Sequence, residues 1–299
     1  MNHIISIHGL ERREIDNLLD EASQIQSFKY NDQLLKGKIL ALLFFEPSTR
    51  TRMSFEVAMA RLGGTFIGVD SVEASSMAKG ETLADTIRVV SGYADTIVLR
   101  HPKEGAARLA SEFSSVPVIN AGDGAGQHPS QTLLDLYTIR QSMPLEGITV
   151  GLLGDLRYGR TAHSLASALS LYSVRLHTIS PKGLELPSAI ADDLRECGTE
   201  IIEHHNVEEI IKDIDVLYVT RIQKERFPDS ASYFQVASSY QVTPELLTGV
   251  KEHLIVLHPP PRLDEIDPRV DQLPYARYFE QSRNGIPVRM AMLQKVMRS

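Results

Sequence analysis

The chain has 299 residues, 42% apolar and 23% charged, which is longer than one hydrophobic core usually organises, so two domains are the default expectation. A net charge of −7 argues against a general nucleic-acid or membrane-surface binder, whose footprint is basic, and no uncharged run approaches membrane-spanning length. The single cysteine, Cys197, excludes an intrachain disulfide framework and a cysteine-built zinc site, and with an opening that lacks a signal-like pattern it predicts a cytoplasmic protein.

Leu10, Ile15, Leu18, Leu19, Ala22 and Ile25 recur at helical spacing and predict an amphipathic N-terminal helix. Short apolar runs then alternate with helical patterns. Ile39 to Phe45, Thr65 to Val69, Thr96 to Leu99 and Val116 to Ile119 read as strands, with helices beginning near Thr51, Glu81 and Glu104. A long helix from about Pro129 to Gln141 ends before Met143-Pro144 and is expected to bridge two domains. A second series follows, with strands at Ile148 to Leu153, Val174 to Ile179, Glu200 to Ile202, Val216 to Thr220 and Leu254 to Leu257, and helices near 160–171, 187–196 and 207–213. The stretch Gln223 to Tyr240 is too long for an ordinary connection and is expected to be a functional, moving loop. Pro287 to Met297 reads as a closing helix.

The fold class this predicts is α/β: two doubly wound parallel-sheet domains joined by a long interdomain helix, with the C-terminal helix returning to the first domain. The expected domains are residues 1–135 with 286–299, and residues 136–285.

In open α/β sheets ligands sit beyond the carboxyl ends of strands, so the residues after each apolar run are the candidates. After Phe44-Phe45 come Glu46-Pro47-Ser48-Thr49-Arg50-Thr51-Arg52 and then a helix: hydroxyls, backbone N–H groups and a guanidinium at a helix N-terminus, a combination suited to a phosphate dianion. Arg100-His101-Pro102 follow the next strand, and Asn120 to Gly124 lead to His128-Pro129-Ser130-Gln131. In the second half Gly154-Asp155-Leu156-Arg157-Tyr158-Gly159-Arg160-Thr161 and Arg221-Ile222-Gln223-Lys224-Glu225-Arg226 again follow strands. One arginine so placed is ordinarily a surface cation; Arg50, Arg100, Arg160 and Arg221 together point to a polyanionic ligand between two domains.

These residues resemble the aspartate and ornithine carbamoyltransferase family over essentially the whole chain. The ordered set is EPSTRTR at Glu46 to Arg52, Ser75 to Thr82, RHP at Arg100 to Pro102, HPxQ at His128 to Gln131, GDLxYGRT at Gly154 to Thr161, TRxQxER at Thr220 to Arg226 and HPxPR at His258 to Arg262. The SMG and HCLP elements typical of the ornithine branch are absent, and a guanidinium at Arg221 suits a dicarboxylate better than an ammonium, so the resemblance is to the aspartate branch. One departure is Pro260, where that branch usually has Leu: the position keeps a carbonyl but has no N–H.

The resemblance implies transfer of the carbamoyl group of carbamoyl phosphate to the amino group of L-aspartate, a step of pyrimidine biosynthesis, with no cofactor and no metal. It implies that Ser48, Thr49, Arg50 and Thr51 cradle the phosphate; that Thr51, Arg100 and His128 surround the carbamoyl oxygen; and that Gln131 and the carbonyls near Pro259 and Pro260 hold its NH₂. Arg160, Thr161, Arg221 and Gln223 would hold the aspartate carboxylates. It further implies ordered binding with domain closure, and a homotrimer whose sites are shared, with Ser75 and Lys79 reaching into a neighbour, and leaves room for regulatory chains in a larger assembly. Within the family the alternative is another amino-acid acceptor such as ornithine. From another class, a dinucleotide-binding oxidoreductase is suggested by Gly151 to Gly154 after a strand, but the spacing of its glycine fingerprint is missing. A regulatory protein on a degenerate scaffold should have lost site residues, and none of the expected types is missing. His204-His205 read as solvated histidines rather than metal ligands.

Overall fold

The apolar runs of the first half become a parallel sheet of β1 (Ile39–Phe44), β2 (Thr65–Val69), β3 (Thr96–His101) and β4 (Val118–Asp123), in the order β2-β1-β3-β4. Central strands covered on both faces are apolar throughout, as Leu40 to Phe44 are, all of them buried. The computed structural model describes residues 2–27, 30–71, 76–222 and 239–298, and falls into two units, Met1–Tyr137 with Arg283–Ser299, and Thr138–Ser282.

Unit 1 also holds α1 (Arg12–Gln26), α2 (Thr49–Arg61), α3 (Leu83–Ser91) and α4 (Ala106–Phe113). α1 begins with a capping box between Glu11 and Glu14 and buries Ile15, Leu18, Leu19, Ala22 and Ile25. The core on one face of the sheet gathers Ala41, Leu43, Phe45, Ile97 and Leu99 against Ile87 of α3 and Ala107 and Ala110 of α4. β2 is an edge strand, and its Phe66 and Ile67 are exposed along with Met53 and Val57 of α2.

Unit 2 is built on β5 (Thr149–Leu153), β6 (Arg175–Ile179), β7 (Glu200–His204), β8 (Val216–Val219) and β9 (Ile255–Leu257), all parallel in the order β7-β6-β5-β8-β9. Stepping outward in both directions from β5 makes the end of β5 a topological switch point. α6 (Arg160–Leu169) and α7 (Ser188–Glu196) connect these strands. The two parallel-sheet units are joined by α5 (Pro129–Ser142), and α8 (Tyr278–Met297) returns the chain to unit 1. Among the described residues no helix is long and apolar enough to cross a membrane.

Three expectations change. The closing helix starts at Tyr278 rather than Pro287, with Pro287 inside it; a proline is best tolerated in a first turn, which is why the sequence suggested a start there. The helix expected over 207–213 is a single 3₁₀ turn, Val207–Glu209, capped by the Asn206 side chain. His204 is not simply solvated: its ring stacks on His177 with centroids 5.1 Å apart, and the two share a 2.8 Å hydrogen bond. Gln223 and most of the loop expected to move, residues 223–238, lie outside the described residues.

Candidate active site

Parallel register brings the strand ends of unit 1 side by side. Phe44 pairs with Arg100 and Leu99 with Asn120, so the turns after β1, β3 and β4 are neighbours. The turn after β1 delivers Ser48 as the N-cap of α2. Its side chain makes no capping hydrogen bond, and the first turn of the helix contains no acidic residue. A helix N-terminus presents N–H groups without intrahelical partners and a positive dipole end, here with the hydroxyls of Ser48, Thr49 and Thr51 and the Arg50 guanidinium on the same turn. Thr51 is buried, Ser48 is half-buried, and Thr49 and Arg50 are exposed.

Arg100 is buried at the end of β3 and pinned from two sides. Its Nη1 donates to the Ala121 carbonyl at 3.2 Å, and its Nη2 lies 3.2 Å from Oε1 of Glu46. The neighbouring His101 turns away to structural work: its Nδ1 accepts from the Lys103 N–H at 3.0 Å, and burial, aided by the Lys103 charge, holds the ring below its ordinary value and so neutral. After β4 a knot of hydrogen bonds shapes the path to α5. Asn120 Nδ2 donates to the Ile5 carbonyl and to Oδ1 of Asp123, and Asp123 accepts from the N–H of Gln127. His128 emerges buried at the start of α5, with Nδ1 3.4 Å from the Ser130 hydroxyl. One turn on, Gln131 Nε2 donates to Oδ1 of Asp135 at 2.8 Å.

The same construction recurs in unit 2. Leu153 pairs with Val219 and Tyr218 with Leu257, so the segments after β5, β8 and β9 are adjacent. Gly154 sits at φ +120°, and a Cβ there would lie 2.2 Å from the Thr220 carbonyl oxygen, so only glycine lets the two strand ends close up. Thr220 in turn bonds Leu153 O through both its N–H (2.7 Å) and its hydroxyl (3.0 Å). Asp155 accepts from the Tyr158 N–H at 3.1 Å, curling the turn that places Arg160 and Thr161, both half-buried, at the N-terminus of α6. Its first turn is also free of acidic residues. Half-buried Arg221 follows Thr220 directly.

After β9, His258 is buried with Nδ1 2.7 Å from the Val219 carbonyl and Nε2 2.9 Å from Oε1 of Glu265. Glu265 also accepts from the Leu263 N–H, folding the segment that carries half-buried Pro259 and Pro260. The peptide between Pro260 and Pro261 is cis. Pro260 has no N–H to offer, but this segment is held by the His258 and Glu265 side chains, which do not call on one.

Of the site residues expected from sequence, Arg100, His128, Gln131 and the Ser48 to Thr51 turn thus lie on adjacent strand ends of unit 1, and Arg160, Thr161, Arg221, Pro259 and Pro260 on adjacent strand ends of unit 2. Lys79 is exposed at the end of the 3₁₀ turn Ser76–Lys79, while Ser75 lies outside the described residues. Sequence reasoning assigned no role to Glu46, Asp135 or Glu265. Each is an acid beside an arginine, glutamine or histidine of these strand ends, a pairing that spacing alone signals only for Asp135, one helical turn after Gln131.

Two family models match the chain: the aspartate/ornithine carbamoyltransferase carbamoyl-P binding domain over residues 2–141, and the Asp/Orn binding domain of the same family over residues 146–296. The chain is 74% identical to the aspartate carbamoyltransferase catalytic subunit of Methanoculleus marisnigri, covering 100% of both chains, and 72% identical to that of Methanosphaerula palustris, covering 99% and 100%. Among solved structures it resembles the catalytic subunit of M. jannaschii aspartate transcarbamoylase, with a TM-score of 0.94 at 55% identity over 100% of this chain and 98% of that one. It also resembles Trypanosoma cruzi aspartate transcarbamoylase in complex with N-(phosphonacetyl)-L-aspartic acid, with a TM-score of 0.92 at 40% identity, covering 99% and 96%.

Proposed function

This chain belongs to the aspartate/ornithine carbamoyltransferase family, and from that membership we infer that it transfers the carbamoyl group of carbamoyl phosphate to the amino group of L-aspartate, giving N-carbamoyl-L-aspartate and phosphate. The observation that carries the aspartate reading is the full-length identity of 74% to a catalytic subunit named for that acceptor. The test is to supply the purified chain with carbamoyl phosphate and either aspartate or ornithine. Carbamoyl aspartate without citrulline is the expected result, and citrulline as the main product would overturn it.

The chemistry follows from the strand ends. Ser48, Thr49, Arg50 and Thr51 take the phosphate at the N-terminus of α2. The amine of aspartate attacks the carbonyl carbon, the carbonyl π electrons move to oxygen, and the C–O bond to phosphate then breaks as the carbonyl re-forms. Negative charge therefore grows on the carbamoyl oxygen in the tetrahedral species. Arg100, pinned by Glu46 and the Ala121 carbonyl, is a donor fixed before reaction, and with Thr51 and His128 it stabilises that charge more than the ground state. No protein nucleophile is needed. The departing phosphate can take the amine proton: carbamoyl phosphate is a dianion near neutral pH, so the phosphate leaves with a third negative charge and readily accepts a proton. Gln131 and the carbonyls of Pro259 and Pro260 accept from the carbamoyl NH₂. Arg160, Thr161, Arg221 and Gln223 take the two carboxylates of aspartate, which matches guanidinium geometry.

The working assembly is a homotrimer with shared sites, Ser75 and Lys79 being supplied by a neighbour. Its support is the edge strand β2, which exposes Phe66 and Ile67, and the helix α2 that follows β1, which exposes Met53 and Val57, apolar surface at an open sheet edge that a second copy would cover. The exposed Lys79, ten residues beyond the end of β2, is on the same stretch of chain. We place the reaction in the cytoplasm, in keeping with the exposed, unpaired thiol of Cys197.

A further inference from the structure

The Gln131 amide has two chemically opposite ends, and the protein fixes which one it presents. Its Nε2 donates to Oδ1 of Asp135 at 2.8 Å, and Asp135 is fully buried. A carboxylate only accepts hydrogen bonds, so the amide oxygen cannot take that place, and Oε1 is the end left to accept elsewhere. Burial by itself favours a neutral carboxyl, which could donate to Oε1 and reverse the amide. The counterweight is on α8. Arg289 is itself buried, and the Asp135 carboxylate is the charge that supports it there. Burial pulls this guanidinium down to about 10, which leaves it a cation at neutral pH. Its guanidinium carbon lies 5.2 Å over the ring of Phe55 in α2, the helix whose first turn forms the phosphate cradle. Gly285, one turn before Arg289, leaves the room the guanidinium occupies: a Cβ at 285 would lie 1.9 Å from its Nη1.

Taking the proposed function as its premise, we propose that Asp135, kept as a carboxylate beside Arg289, is a positioning residue that sets the acyl specificity of the enzyme. By accepting from Gln131 Nε2 it presents Gln131 Oε1 to the carbamoyl NH₂, and so selects an amide over an acyl phosphate that carries a methyl group at the same carbon. A methyl leaves this acceptor without a partner in the occupied site, the form of discrimination open to a hydrogen-bonding site.

The test uses two unreactive probes that differ only in this group: phosphonoacetamide, with NH₂, and acetonylphosphonate, with CH₃. Their dissociation constants are measured by calorimetry on the full-length chain in its native assembly. The unaltered protein is expected to prefer the amide by about tenfold, the value of one satisfied against one orphaned acceptor in the occupied site. Asp135→Asn can offer Gln131 either end of its own amide, so the preference should shrink to about threefold or less, while acetonylphosphonate binds as before. Because Asp135→Asn leaves Arg289 without its counter-charge, Asp135→Asn with Arg289→Met removes both charges together and should show the same loss. Gln131→Ala should abolish the preference. If Asp135→Asn and the double variant keep the full preference while Gln131→Ala loses it, Gln131 reads the amide unaided and the proposal is overturned. If Gln131→Ala also keeps it, the assignment of Gln131 to the carbamoyl group fails, and the proposal fails with it.

Discussion

Nε2 of His258 lies 2.9 Å from Oε1 of Glu265 while Nδ1 of the same ring lies 2.7 Å from the carbonyl oxygen of Val219. Both partners are acceptors, so each ring nitrogen is held against one of its own. A buried histidine–carboxylate pair thereby ties the last residue of β8 to the segment that bears Pro259 and Pro260.

Removing one partner of such a pair strands the other. Burial alone would push the Glu265 carboxyl up, but the hydrogen bond from His258 and its charge prevail and hold it below its ordinary value. A carboxyl with a depressed folded value contributes stability that is complete above the unfolded value, about 4.3, and drains away as pH falls through the folded one. Glu265→Gln should therefore cost about 3 kcal/mol at neutral pH, read by urea unfolding, with the gap to the parent chain closing under acid. A loss below about 0.5 kcal/mol at pH 7 would show that the pair adds nothing net.

Gly154→Ala should destabilise unit 2 by at least about 2 kcal/mol, since the new methyl meets backbone rather than a flexible side chain and φ +120° is itself costly. Thr220 is the atom group displaced and Arg221 follows it, so the KM for aspartate should rise as well. Unchanged melting would mean that the strand ends part without penalty.

Much of this was legible in the chain because parallel strands buried on both faces write themselves as apolar runs. Leu40 to Phe44 and Val150 to Leu153 stand out, and the polar residues that follow them are the candidate site. What stayed hidden depends on contacts distant in sequence. Nothing near Glu265 announces His258, and Arg289, in a helix read only as a closing one, gave no sign of lying over Phe55. The pairing of Ile4 with Ile119 was equally silent, because one bridge at a chain end has no periodicity. Pro287 misled for a local reason: its preference for a first turn was overridden by a helix already under way from Tyr278.

His128→Ala should lower kcat by about 10- to 1,000-fold, the cost of removing one donor to a developing oxyanion, with a smaller effect on carbamoyl phosphate binding. An unchanged kcat, measured at saturating substrates, would make His128 a structural residue at the head of α5.

For Arg221→Ala the damage should fall chiefly on aspartate, whose KM rises by about 100-fold for a lost charge-assisted contact while that for carbamoyl phosphate moves little. The reverse pattern would exchange the roles of the two units.

Shared sites make a genetic prediction. Lys79→Gln and Arg50→Ala chains should each be inactive as pure trimers, yet a reassembled equal mixture should regain activity, because about a quarter of the interfaces pair an intact Arg50 with an intact neighbouring Lys79. A mixture that stays inactive, once size measurement shows mixed trimers, would place Lys79 in service of its own chain.

The division of the chain also orders its birth on the ribosome. Unit 1 draws on residues at both ends, Met1–Tyr137 and Arg283–Ser299, with unit 2 synthesised wholly in between. Met290, Leu293 and Val296 of α8 are buried, and Lys295 reaches Glu14 of α1 at 2.9 Å, so α1 lacks this contact until α8 has been made. Nascent chains usually complete their N-terminal domain first. Here unit 2 has all its residues available before unit 1 does, so unit 1 cannot complete its packing until residues 283–299 have been made.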